Sequence, residues 1–111
     1  MQLDFEESSV GGRRVLGVIG EIDLASSPQF GRKLHEYIGT FESAFVIDLS
    51  AVSFMDSTGL GTLVSGARIL APKSQRLTVV TSQPSLVKVF EITSMGEIFD
   101  IFSTLEELPA L

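Results

Sequence analysis

The sequence predicts an α/β layered domain: a mixed sheet of four to five strands, begun by an N-terminal hairpin and continued by parallel crossovers, with about four helices. Three observations carry this. Short apolar or β-branched runs alternate with segments of helical spacing. The first two runs are divided only by the turn signal Val10-Gly11-Gly12. Every later run is separated from the next by a helix-length segment, as right-handed parallel crossovers require.

The elements follow in order. Gln2 to Ser9 and Arg13 to Gly20, the latter with Val15, Val18 and Ile19, form the hairpin. Ser26 and Ser27 precede Pro28, a capping and first-turn arrangement, and Phe30, Leu34, Tyr37 and Ile38 recur at helical spacing, so a first helix runs from Pro28 to about Gly39. Ala44 to Leu49 is too short for a helix and reads as a strand. From Thr58 to Leu70 the stripe Leu60, Leu63, Val64, Ala67, Leu70 marks a second helix, which Pro72 ends. Leu77 to Thr81 is a strand. Ser82 caps a third helix that turns Leu86, Val89 and Phe90 inward, and Ile98 to Phe102 adds an edge strand. Ser103 and Glu106 form a capping box opening a last short helix with Leu105 and Leu108.

At 111 residues with 44% hydrophobic content, and without a repeat or low-complexity linker, residues 1–111 read as one domain. The formal net charge of −6 argues against nucleic acid as a partner, because a phosphate-backbone binder needs a basic stripe. The absence of Cys excludes disulfides and thiolate metal sites and suits a reducing compartment, consistent with the cytoplasm. No apolar run approaches the roughly 18 to 20 residues that span a bilayer, so the chain is expected to be soluble and away from the membrane.

Two loops fall at carboxyl ends of strands, where α/β sheets gather functional groups. One is Gly20-Glu21-Ile22-Asp23; the other is Met55-Asp56-Ser57-Thr58-Gly59. If the strands before them are parallel neighbours joined by the first helix, Asp23 and Ser57 come close across 34 positions. Ser57 then sits where the second helix begins, near backbone N–H groups without intrahelical partners, a place suited to an anion. A phosphoserine there carries roughly −1.5 to −2 charges and is stabilised by about 0.3 to 1 kcal/mol, so modification need not unfold the domain. A docked partner would respond more strongly. At an effective dielectric of about 20, such a group about 6 Å from a partner's carboxylate costs on the order of 5 kcal/mol. Even about 3 kcal/mol changes an equilibrium constant roughly a hundredfold.

Taken alone, Asp-Ser-Thr is more readily a helix cap, and Glu21 and Asp23 are more readily solvated turn residues than a catalytic carboxylate pair. Gly59, Gly61 and Gly66 each cost roughly 1 kcal/mol relative to Ala inside a helix, so something compensates for them. Either Gly59 and Gly66 pack closely inside, or, with Thr62, Ser65 and an exposed Ile69, they form a shallow face on which a partner helix docks beside Ser57.

These residues resemble the bacterial anti-sigma factor antagonists, the small single-domain members of the STAS family. The resemblance rests on Gly20-Glu21-Ile22-Asp23-Leu24 after the second strand and Phe54-Met55-Asp56-Ser57-Thr58-Gly59-Leu60-Gly61 at the second helix, in that order and separation. It runs through Phe90-Glu91-Ile92-Thr93 and Ile98-Phe99 to the acidic end. It implies a STAS-type fold and a partner switch, with Ser57 as phosphoacceptor. Unmodified, such a protein binds an anti-sigma factor that is also a Ser/Thr protein kinase of the histidine-kinase-like ATPase type, releasing the sigma factor. Phosphorylation reverses the exchange, and a PP2C-type phosphatase restores Ser57. ATP and metal would belong to those partners, so no cofactor is expected here, and the free chain is expected to be a monomer. The partner-binding set implied is Glu21, Asp23, Asp56, Ser57, Thr58, Gly59, Thr62, Ser65, Gly66 and Ile69.

Two other readings compete. A STAS scaffold or regulatory subunit of a secretion, motility or transport system would never be phosphorylated. A hydrolase would need Ser57 as nucleophile, His35 as base and Asp23 as orienter. His35, the single His, is placed toward solvent by helical spacing, and Met55 replaces the leading glycine of Gly-x-Ser-x-Gly, so no nucleophile elbow is encoded.

Overall fold

Val10 and Arg13 pair across a two-residue turn in which Gly11 and Gly12 both have positive φ, +57° and +83°, the turn whose twist suits the right-handed twist of its strands. In this computed structural model, which describes residues 3–40, 45–93 and 98–109, that turn joins β1 (Asp4–Val10) to β2 (Arg13–Ile22). The chain continues through α1 (Ser27–Thr40), β3 (Phe45–Met55), α2 (Ser57–Leu70), β4 (Leu77–Val80), α3 (Pro84–Ile92) and β5 (Phe99–Phe102). Short 3₁₀ turns occupy Ala71–Lys73 and Leu105–Glu107.

The sheet order is β1-β2-β3-β4-β5, antiparallel in the first pair and parallel thereafter, the mixed α/β sheet expected from the sequence. Each crossover moves one strand in the same direction. With crossovers of one hand, that progression puts every connecting helix on the same face. Accordingly Phe30, Leu34, Tyr37 and Ile38 of α1, Leu63, Ala67 and Leu70 of α2, and Leu86 and Phe90 of α3 share one core with Leu16, Val18 and Ile22 of β2 and Ile47 and Leu49 of β3. Burying each large apolar side chain contributes about 1.5 to 3 kcal/mol. The opposite face carries a smaller cluster, Val15, Val46 and Val80, against which Phe102, Leu105 and Leu108 pack.

The structure corrects several boundaries. The third strand does not stop at Leu49 but runs to Met55, because β2 offers a parallel partner as far as Ile22, which pairs with Met55. The proposed starts at Gln2 and Ala44 lie outside the described residues. Ser82 does not cap α3: Gln83 holds that position, and its N–H donates to the Thr81 hydroxyl. The C-terminal capping box is displaced by one residue, with the Glu107 carboxylate accepting from the N–H groups of Ser103 and Thr104, and what it opens is a 3₁₀ turn. Among the described residues there are thus three α-helices rather than about four.

Candidate functional site

The site is made where β2 and β3 end side by side. The register shifts between Gly20 and Glu21, and Gly20 takes φ +126°, a conformation costly for any residue with a side chain. This irregularity re-aims the last residues of β2. The first motif therefore begins with glycine for a backbone reason.

Beyond Ile22 the chain is pinned by its own polar groups. The Asp23 carboxylate accepts from the N–H groups of Ala25 and Ser26, each at 3.0 Å. Ser26, only 2% exposed, donates its hydroxyl to the Glu21 carbonyl at 2.7 Å and accepts from the Asp23 N–H at 2.9 Å. These bonds favour the ionised carboxylate, so Asp23 is held below the ordinary acidic range, the Ser26 N–H being the main cause. Ser26 is not a side-chain cap of α1. Its carbonyl accepts the first helical bond, from Phe30 N, while its hydroxyl staples the Asp23 loop.

On the other strand, Asp56 is the N-cap of α2 and Ser57 the first helical residue. The Asp56 carboxylate accepts from Thr58 N at 2.9 Å and Gly59 N at 3.4 Å, and from the Thr58 hydroxyl. Its pKa is lowered, chiefly by the Thr58 hydroxyl. Two donors at the mouth of the helix are therefore already taken by Asp56. The two loops meet directly: Asp56 N donates to the Ile22 carbonyl at 3.0 Å. Ser57 is exposed and Thr58 half-buried.

Not every anticipated residue joins this surface. Thr62 and Ser65 are half-buried and, with Thr58, Gly61, Ser27, Pro28, Gly31 and His35, line an open cleft of about 320 Å³ between α1 and α2. Glu21 is half-buried in β2, opposite Phe54. Gly59 and Gly66 are buried and are removed from the docking face. A Cβ on Gly59 would lie 2.5 Å from Met55 Cγ and 2.6 Å from Ile22 Cγ2, and one on Gly66 would lie 3.0 Å from Leu34 Cδ2. Their compensation is close internal packing. Ile69 is 40% exposed, but twelve residues along α2 place it about 18 Å from Ser57.

Two residues that sequence reasoning left out of the partner-binding set stand beside it. Leu24 is 75% exposed beside the junction. Gly61 is exposed, with open space where a side chain would be, and lies about 40° around α2 from Ser57, so helical spacing could have found it. No hydrolytic triad forms: His35 Nε2 lies 3.3 Å from Ser65 Oγ, and Asp23 is engaged with Ser26.

A STAS domain family model matches residues 6–108. The anti-sigma-B factor antagonist of Listeria monocytogenes is 36% identical over 84 residues, 76% of this chain and 74% of that protein. The crystal structure of an anti-sigma factor antagonist from Mycobacterium paratuberculosis superposes with a TM-score of 0.84 at 28% identity, over 95% of this chain and 89% of that one. The Bacillus cell fate determinant SpoIIAA in its phosphorylated form gives a TM-score of 0.65 at 25% identity, over 94% and 95% of the respective chains.

Proposed function

The chain belongs to the STAS domain family, and we propose that it is an anti-sigma factor antagonist whose hold on its partner is switched by phosphorylation of Ser57. The single observation that carries the switch is the placement of Ser57: an exposed hydroxyl on the first residue of α2, one position beyond the bond that joins the two motif loops. The phosphorylated relative of the same fold supports the reading.

The protein is a regulator and not an enzyme. Unmodified, it docks through the Asp23 loop, the start of α2 and the adjoining cleft onto an anti-sigma factor that is also a Ser/Thr protein kinase, which releases its sigma factor. The kinase uses its own ATP. Transfer to the Ser57 oxygen adds a near-dianion next to Asp56, on a corner that already carries Asp23. The docked surface then meets concentrated negative charge and the partner leaves. A PP2C-type phosphatase reverses the modification. Among the described residues no helix is long and apolar enough to cross a membrane.

The test is incubation with the cognate kinase and ATP, followed by intact mass and fragment mapping. One phosphate on Ser57, together with at least a hundredfold weaker binding of the kinase by the modified protein, is the expected result. Ser57→Ala should accept no phosphate and remain bound. Unchanged affinity after stoichiometric phosphorylation would overturn the switch and favour a constitutive scaffold.

A further inference from the structure

We propose that Asp56 selects the phosphoacceptor: by holding the Thr58 hydroxyl, it leaves Ser57 as the side chain of this adjacent pair that a kinase can modify. The inference rests on the partner-switch reading above and adds to it a specificity-determining positioning residue.

Phosphoryl transfer by itself does not separate the two residues. In either case the hydroxyl oxygen attacks the γ-phosphorus of ATP and a new O–P bond forms. The bond from that phosphorus to the bridging oxygen breaks, ADP leaves, and the hydroxyl proton passes to a base of the kinase. The acceptor must therefore present a free lone pair outward and surrender its proton to the incoming enzyme. Ser57 is exposed and meets both demands.

Thr58 does not. Its hydroxyl donates its one proton to Asp56 Oδ1, the same oxygen that accepts from Thr58 N and Gly59 N. That oxygen is thereby tied at three points to the first turn of α2, which keeps it over the Thr58 hydroxyl. Nor does Asp56 serve as a built-in base for Thr58, since its donors make it a weaker proton acceptor than an ordinary carboxylate. Thr58 also points about 100° around α2 from Ser57, into the cleft facing α1. Asp56 thus performs two tasks with one carboxylate, capping the helix and withholding the neighbouring hydroxyl.

The experiment compares the wild type with Asp56→Ser and Asp56→Asn, each incubated with the cognate kinase and ATP. The ratio of phosphate on Thr58 to phosphate on Ser57 is measured by fragment mass mapping at equal total incorporation. Serine preserves a helix cap but is too short to hold the Thr58 hydroxyl; asparagine keeps an acceptor oxygen in place. The ratio should rise at least tenfold in Asp56→Ser and stay within twofold of wild type in Asp56→Asn. An unchanged ratio in Asp56→Ser overturns the proposal, as does a tenfold rise in Asp56→Asn. Complete loss of phosphate from a folded Asp56→Ser also counts against it, since Asp56 would then be a recognition residue. Failure of the wild type to accept phosphate on Ser57 refutes the switch itself, a result distinct from these.

Discussion

The backbone N–H of Asp56 donates to the carbonyl of Ile22 at 3.0 Å, one residue before Asp23 on one strand and one residue before Ser57 on the other. Both motif loops are therefore parts of one corner. A charge added at Ser57 is added to a fixed frame, so its effect falls on whatever is docked there and not on the fold.

Phosphorylation of Ser57 is accordingly expected to leave stability within about 0.5 kcal/mol of the unmodified protein, as for surface changes that break no buried contact. Thermal unfolding of the two forms checks this, and amide spectra should change only near the corner. A large loss of stability would mean that the switch works by unfolding.

The glycines of α2 separate packing from docking. Gly59→Ala forces a methyl group to within 2.5 Å of Met55 and 2.6 Å of Ile22, so a loss of about 1 to 3 kcal/mol is expected in denaturant titrations. Gly61→Ala meets open space and should raise stability by about 0.5 to 1 kcal/mol through helix propensity alone. Because Gly61 lines the cleft, the same variant should bind the kinase at least fivefold more weakly. A more stable Gly61→Ala with undiminished affinity would take that cleft out of the interface.

The acid limb of the stability curve follows from Asp23 and Asp56. Both have folded-state pKa values lowered by donated hydrogen bonds, so the stability they supply is fully present above the unfolded carboxylate value of about 3.9. It is lost as pH falls through the lower folded values, when protonation weakens the Ser26 and Thr58 contacts. Asp23→Asn/Asp56→Asn should flatten that limb below about pH 4. Urea unfolding at stepped pH measures it, and equal slopes in both proteins would show that the two carboxylates do not contribute.

Much of this corner was legible in the sequence, and the exceptions have physical causes. The two motifs fixed the loops, and alternation of strands with helices fixed parallel pairing, because both depend on local residue order. The length of β3 was not legible. Ser50, Ala51 and Ser53 break the apolar run, and it is the pairing of Ala51, Val52, Phe54 and Met55 with β2 that carries the strand past the irregularities at Ser50 and Ser53. Gly59 and Gly61 look alike in a helical pattern, yet one Cβ direction meets Met55 and the other meets solvent, a difference set by the rotation of α2 against the sheet. Asp56 was placed at the helix boundary, but its grip on the Thr58 hydroxyl depends on a side-chain rotamer that residue order does not specify.

Ser26 tests whether the Asp23 loop is held from beneath. Ser26→Ala removes the donor to the Glu21 carbonyl and the acceptor for Asp23 N inside a nearly closed space, so about 1 to 3 kcal/mol of stability should be lost. Hydrogen exchange should accelerate at Asp23 and leave the centre of α2 unchanged. Uniform acceleration would make Ser26 an ordinary core residue.

Leu24 is the residue most at odds with a solvated turn, since its side chain is 75% exposed beside the corner. With that side chain free, its loss costs the folded protein almost nothing, and Leu24→Ser should unfold within about 0.5 kcal/mol of wild type. A partner seated on the corner would cover it. Burying a leucine contributes about 1.5 to 3 kcal/mol, which corresponds to a drop in affinity of roughly tenfold or more when the side chain is cut back. Calorimetric titration with the unmodified kinase reads this directly, and Ser57→Ala as host keeps phosphorylation from intruding. Full affinity in Leu24→Ser/Ser57→Ala would place the docked surface along the cleft side of α2 and away from the Asp23 loop.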